Sequence, residues 1–263
     1  RENPDVVILL GIEKLSPKVE IRSLFVYGLY SKLVRGIPQT KWICSNCGGK
    51  GCIECKGEGK LYKTSVQEII EKPFMKAAKS KKSDFHGGGR EDIDARNLGY
   101  RPFVIEILKP LKRKIDLRKI EKQINKSKKV KVRGLKFSDK DVVREIKATK
   151  IDKTYSAEIE FEDEIDRKKL KLVKQLEKEK IKQQTPTRVV HRRADKIRTR
   201  YVKKISYKVL GKKKLQLIIR GESGLYIKEL ISGDEGRTRP NISEILNNKV
   251  KKINLDVIKI HTK

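Results

Sequence analysis

Apolar and polar residues alternate from Tyr155 to Glu162, the period of a half-buried strand. Earlier in the chain, Asp5 to Gly11 is a continuous apolar run that reads as a buried strand, and Val19 to Tyr27 reads as a second after a Pro-containing loop. Ser65-x-x-Glu68 is a capping box that opens a helix through Ile70 toward Ala78, with Pro73 expected to kink or end it. Pro102 to Leu108 reads as a strand, and Leu117, Ile120 and Ile124 mark one face of a helix starting near Asp116. Val130, Val132, Leu135 and Phe137 continue in strand and turn. Ile165 to Lys182 has a helical pattern, but its density of Lys and Glu suits an exposed mobile hairpin equally well. Further strands are predicted at Tyr201 to Leu210, Leu215 to Arg220 and Ile253 to Ile260, with a short helix at Tyr226 to Ile231. The mixed order predicts an α+β fold with helices packed on a sheet, and no internal repeat stands out.

Charge narrows the choice of partners. Across 263 residues, 66 Lys plus Arg stand against 34 Asp plus Glu, a formal charge of +32. Such an excess attracts polyanions, and displacement of counterions from phosphates supplies affinity independent of sequence, so nucleic acid is the expected partner. Aromatic residues make up only 6%, which favours a groove that holds the backbone over a surface of stacked bases. No apolar run approaches the ~20 residues that span a bilayer, so no membrane association is expected and the protein is read as cytoplasmic. Many Lys, Glu and Ile residues with one Met resemble a thermophile's composition.

Two segments carry candidate chemistry. His86-Gly-Gly-Gly-Arg90-Glu91-Asp92-Ile93-Asp94 is a glycine-opened turn that delivers acidic and basic side chains within a few residues, with room for a bulky ligand such as a nucleobase. In an extended segment Asp92 and Asp94 share a face, so spacing does not choose between them. Cys44-x-x-Cys47 and Cys52-x-x-Cys55, each followed by glycines, form two knuckles with the spacing of a structural Zn²⁺ site; disulfides are the alternative, disfavoured inside a cell. Arg188-Val-Val-His191-Arg192-Arg193, with Lys196, Arg198 and Arg200, reads as a cradle for an RNA backbone, or as a solvated charge run.

The turn resembles the active-site loop of pseudouridine synthases, Gly-Arg-x-Asp, through Gly89-Arg90-Glu91-Asp92. His86 through Gly99 with Arg101-Pro102-Phe103 is similar to the Pus ten family within them, as are Tyr30 to Thr40, Gln184 to Arg193, and Gly224 to Leu230 leading to Asn241. The resemblance runs from about Leu24 to Leu246. It implies a catalytic domain built on a mixed, largely antiparallel sheet over residues 63–263. Residues 1–62 would be the end of a THUMP-containing accessory domain that carries the zinc knuckle, the rest of which precedes Arg1.

The implied reaction isomerises uridine to pseudouridine in the TΨC loop of tRNA, at positions 54 and 55, by detaching uracil from C1′ and rejoining it through C5. It needs no organic cofactor. The register makes Asp92 the reacting carboxylate and Lys228 the cation that keeps it ionised. Tyr155 would stack on the base and move its proton, with Leu230 as apolar packing beneath. The same likeness makes His86, Arg90, Arg188, His191, Arg192 and Arg193 substrate-binding, Arg90 through its forked guanidinium. Attack of Asp92 at uracil C6, its addition at C1′, and glycal formation with deprotonation at C2′ are alternative routes that the sequence leaves open. A monomer bound to the TΨC arm is expected. A noncatalytic structured-RNA-binding protein is the rival reading. A THUMP-linked methyltransferase is weaker, because no glycine-rich strand-to-helix loop with a following acidic residue is present.

Overall fold

A computed structural model of the chain describes residues 4–11 and 16–262. Two compact units emerge, Arg1–Ile93 with Tyr100–Thr149, and Asp94–Gly99 with Lys150–Lys263.

The first unit begins with β1 (Val6–Leu10) and β2 (Pro17–Ile21), an antiparallel pair. The apolar run of β1 was expected to be buried, but Ile8 is 60% and Leu10 73% exposed, since a two-stranded ribbon leaves its faces uncovered. The expected strand from Val19 to Tyr27 is also two, because Arg22 and Ser23 break it before β3 (Leu24–Lys32). Helix α1 (Val66–Ala78) starts as its capping box requires: the Ser65 hydroxyl accepts from the Glu68 amide at 3.1 Å and donates to the Glu68 carboxylate at 2.8 Å. Val66, Ile70, Phe74 and Ala78 recur every fourth residue and are fully buried, and that face carries the helix through Pro73 without ending it.

Strand β4 (Lys82–Gly87) pairs antiparallel with β5 (Arg96–Leu108), which neighbours β3. Helix α2 (Leu117–Ile124), capped by Asp116, and strand β6 (Val130–Ser138), antiparallel to β3, match the periodicity. Helix α3 (Lys140–Ala148) was not predicted; Asp139 caps it and only Val143 and Ile146 are buried. Tyr30, Phe74, Phe103, Ile105 and Ile120 belong to this unit's core.

The second unit holds the first residues of β5, then β7 (Lys153–Phe161), β8 (Lys180–Gln183), β9 (Arg198–Gly211), β10 (Lys214–Gly221), α4 (Ile227–Ser232), β11 (Thr238–Arg239), α5 (Ile242–Leu246) and β12 (Val250–Ile260). Strands run in the order β11-β8-β9-β10-β7-β12-β5, antiparallel except for the short β12–β5 match. Between β7 and β8, Lys169–Glu177 is a helix, as one of the two readings had it, but of the 3₁₀ type. Leu170, Val173 and Leu176 recur every third residue and are buried, the spacing that three residues per turn places on one side. The secondary structure is thus α+β with a mostly antiparallel sheet.

Candidate functional site

The glycine turn leaves β4 by a route that side chains would obstruct. A Cβ on Gly88 would lie 2.8 Å from the Pro102 ring, and Gly89 has φ +89°. Arg90 follows, its guanidinium 5.5 Å from the centre of the Trp42 ring, a cation–π distance. His86 faces Glu106, Nε2 to Oε2 at 3.0 Å, within the β4–β5 pair. The backbone is not extended across the acidic residues, because Ile93 and Asp94 form a turn. The shared face of Asp92 and Asp94 therefore does not arise.

Asp94 and its cation both belong to the second unit. Lys228 Nζ donates to both carboxylate oxygens of Asp94, at 2.8 and 2.7 Å. The register had assigned this lysine to Asp92, and its two hydrogen bonds here go to Asp94. Burial pushes the Asp94 carboxyl up, but the Lys228 hydrogen bonds and charge, with the field of Arg188, together hold it below the usual range. Arg188 in turn donates to Glu229 at 2.6 Å, and the Glu229 side chain is only 5% exposed.

Sequence blocks far apart meet around α4. The Gln183 side chain accepts from the Tyr226 amide and donates to the Tyr226 carbonyl, both at 2.9 Å. Arg193 donates to the Tyr226 hydroxyl at 2.7 Å, and Asp234 accepts from the Thr187 amide at 2.9 Å. His191 and Arg193 are exposed in and just after the 3₁₀ turn Thr187–Arg192, whereas the Arg192 side chain lies outside the described residues. Leu230 is fully buried in the core, so its apolar packing is internal. Tyr155 is partly buried on β7, opposite Val257, which stands opposite Asn97. Two strand spacings, about 9.6 Å, therefore separate Tyr155 from Asn97 on one face, and Asp94 lies three residues before Asn97.

The four cysteine sulfurs lie within 4.8 Å of one another. Cys44–Cys52 and Cys47–Cys55 are 3.8 Å apart and Cys52–Cys55 3.7 Å. A tetrahedron with Zn–S bonds of about 2.3 Å has edges of about 3.8 Å, whereas a disulfide would need about 2.05 Å. Amides of Gly51, Cys52 and Gly59 donate to the Cys47 and Cys55 sulfurs at 3.2 Å, the hydrogen bonds that thiolates accept. The donor set fits a closed structural zinc site. At its base Ile43 bridges Lys60, and Trp42 meets Tyr62 edge to face.

Sequence reasoning passed over Lys32, Glu91, Arg101 and Glu229. In a chain so rich in charge, hydropathy carries no sign that particular charges are buried.

Comparison with known proteins fits these blocks. The "Pus10, C-terminal" family matches residues 25–261. A protein of Methanocaldococcus jannaschii named tRNA pseudouridine synthase Pus10 is 49% identical over 263 residues, 99% of this chain and 58% of its own length. A protein of the same name from Methanothrix thermoacetophila is 44% identical over 261 residues, 98% of this chain and 58% of its own. This chain thus spans somewhat over half the length of these two relatives. Among solved structures, a Cbf5-Nop10-Gar1 complex matches at 15% identity and a TM-score of 0.44, over 86% of this chain and 47% of that one. With the family match covering nearly the whole chain, the protein belongs to the Pus10 C-terminal family.

Proposed function

We propose that the chain is the catalytic part of a tRNA pseudouridine synthase that isomerises uridine in the TΨC loop, at positions 54 and 55. The observation that carries this reading is the Lys228–Asp94 pair, an acidic side chain kept ionised at an exposed position by a lysine from a distant family block. It supports Asp94 as the reacting carboxylate in place of Asp92, the register's choice. An anion there can attack or stabilise the sugar or base of an everted uridine, while Tyr155 stacks on the uracil and handles its proton. Arg90 holds the displaced nucleotide by phosphate, its guanidinium braced on Trp42. Arg188, His191, Arg192 and Arg193 are assigned to the RNA backbone in this reading. His86 steadies the β4 end of the turn, and Leu230 supports the site from the core.

Zn²⁺ at Cys44, Cys47, Cys52 and Cys55 would be structural, since four thiolates leave no open position for chemistry. Residues 1–62 end the accessory domain in this reading, and residues 63–263 form the catalytic domain of a cytoplasmic monomer. The test incubates the intact protein with an unmodified tRNA transcript and maps pseudouridine. Asp94→Asn should abolish product while tRNA still binds, and Asp92→Asn should retain it. Loss in Asp92→Asn alone returns the carboxylate to Asp92. Binding without product in the unmutated protein leaves the noncatalytic RNA-binding reading.

A further inference from the structure

Five polar side chains of the first unit, none with a place in the mechanism above, gather at the glycine turn, and three of them donate to its main chain. Lys32 is completely buried at the end of β3. Its ammonium donates to three carbonyls, Ile37 at 3.0 Å, Asp92 at 2.9 Å and Ile93 at 3.2 Å. The Gly36 amide adds a second bond to the Ile93 carbonyl at 2.9 Å. A lysine ammonium has three donors, so one atom ties the Ser31–Ile37 segment to the residues just before Asp94.

A second set grips the other end. Arg101 and Glu91, both with side chains wholly out of solvent, form an ion pair at 3.0 Å, and Arg101 also donates to the Gly88 carbonyl at 3.1 Å. The Tyr30 hydroxyl reaches both Glu91 oxygens, at 2.8 and 3.1 Å, and accepts from Gln39 at 2.7 Å. Gln39 spends its other donor on the Gly89 carbonyl at 2.9 Å. Burial, and then the charge of Glu91, push the Tyr30 phenol well up, so it remains a donor at every physiological pH.

Burying this much charge is costly, and apolar residues of similar volume are often at least as stabilising. What an apolar core cannot do is fix carbonyls at Gly88, Gly89, Asp92 and Ile93. We infer that Lys32, together with Tyr30, Gln39, Glu91 and Arg101, is a positioning device that holds Gly88–Ile93, the segment leading into Asp94, in a single conformation for catalysis. The inference rests on the pseudouridine synthase reading and adds to it residues that never touch substrate.

The experiment compares Lys32→Met and Tyr30→Phe in the intact protein by single-turnover rate on tRNA transcript, tRNA affinity, and amide hydrogen exchange across residues 88–93. Misplacement by about 1 Å costs about 100-fold in rate, so Lys32→Met should lose about 10- to 100-fold with affinity within about twofold. Exchange in 88–93 should quicken selectively. Tyr30→Phe removes one hydroxyl and should show the same signature more weakly. A folded Lys32→Met protein with undiminished rate overturns the proposal. Should that variant not fold, an unchanged rate and exchange in Tyr30→Phe overturn it instead. An inactive parent protein refutes the enzymatic reading, and exchange across 88–93 alone then decides whether the clamp exists.

Discussion

Lys228 and Asp94 stand 134 residues apart in the chain and meet through two hydrogen bonds of 2.8 and 2.7 Å. Because both carboxylate oxygens are engaged, the lysine orients the anion as well as stabilising its charge. Lys228→Met should cut the rate of pseudouridine formation by about 100-fold, within the range seen when a group stabilising developing charge is removed. Single-turnover kinetics at saturating tRNA is the measurement, and a loss confined to affinity would contradict this role.

The pH behaviour follows from the direction of the Asp94 shift. Its carboxyl titrates below the ordinary aspartate range in the folded protein. The group therefore contributes stability that is present above its unfolded pKa, about 3.9, and is lost as pH falls through the lower folded value. Across neutral pH Asp94 stays charged, and the activity profile should carry no acidic limb from it there. In Lys228→Met the largest lowering influence is gone while burial still acts upward, so the acidic limb should move to higher pH. A rate–pH series on both proteins reads this directly.

Metal content can be separated from activity because Trp42 is the chain's one tryptophan and stands at the foot of the cysteine knuckle. One zinc per chain is expected by elemental analysis. Chelation, or Cys47→Ser, should change Trp42 emission as its edge-to-face contact with Tyr62 and the overlying Arg90 loosen. A folded, zinc-free protein with unaltered emission would remove the metal assignment.

Removing Arg188 leaves the buried carboxylate of Glu229 without its 2.6 Å donor. Arg188→Ala should lower stability by about 1–3 kcal/mol, the cost of a charged hydrogen bond broken at a partly buried site. Denaturant melts report the loss. Arg193→Ala should instead leave stability nearly unchanged and reduce the slope of log affinity against log salt by roughly 0.7–0.9 if Arg193 meets one phosphate.

Local rules carried the elements they govern. The Ser65–Glu68 capping box and the Leu117, Ile120, Ile124 spacing located α1 and α2, because caps and apolar faces are decided within a few residues. Ile165 to Lys182 read ambiguously because a density of Lys and Glu suits an exposed hairpin as well as a helix, and it hides the burial of Leu170, Val173 and Leu176. The pairing of Lys228 with Asp94 was invisible for a different reason. It depends on where α4 brings Lys228, a tertiary fact, and on a turn at Ile93 that cancels the two-residue periodicity. The four-cysteine cluster was legible because ligand spacing is itself local. The burial of Lys32, Glu91 and Arg101 was not, since each partner lies on another segment.

In a chain whose surface bristles with amines, the sealed position of Lys32 makes it chemically distinct. Acylating reagents and lysine-modifying enzymes need a free, protruding amine, and this one is wrapped by Ile37, Asp92 and Ile93. Its modification would have to wait for the local structure to open. The labelling rate at this single residue thus works as a clock for such opening events, against a background of neighbours that react at once.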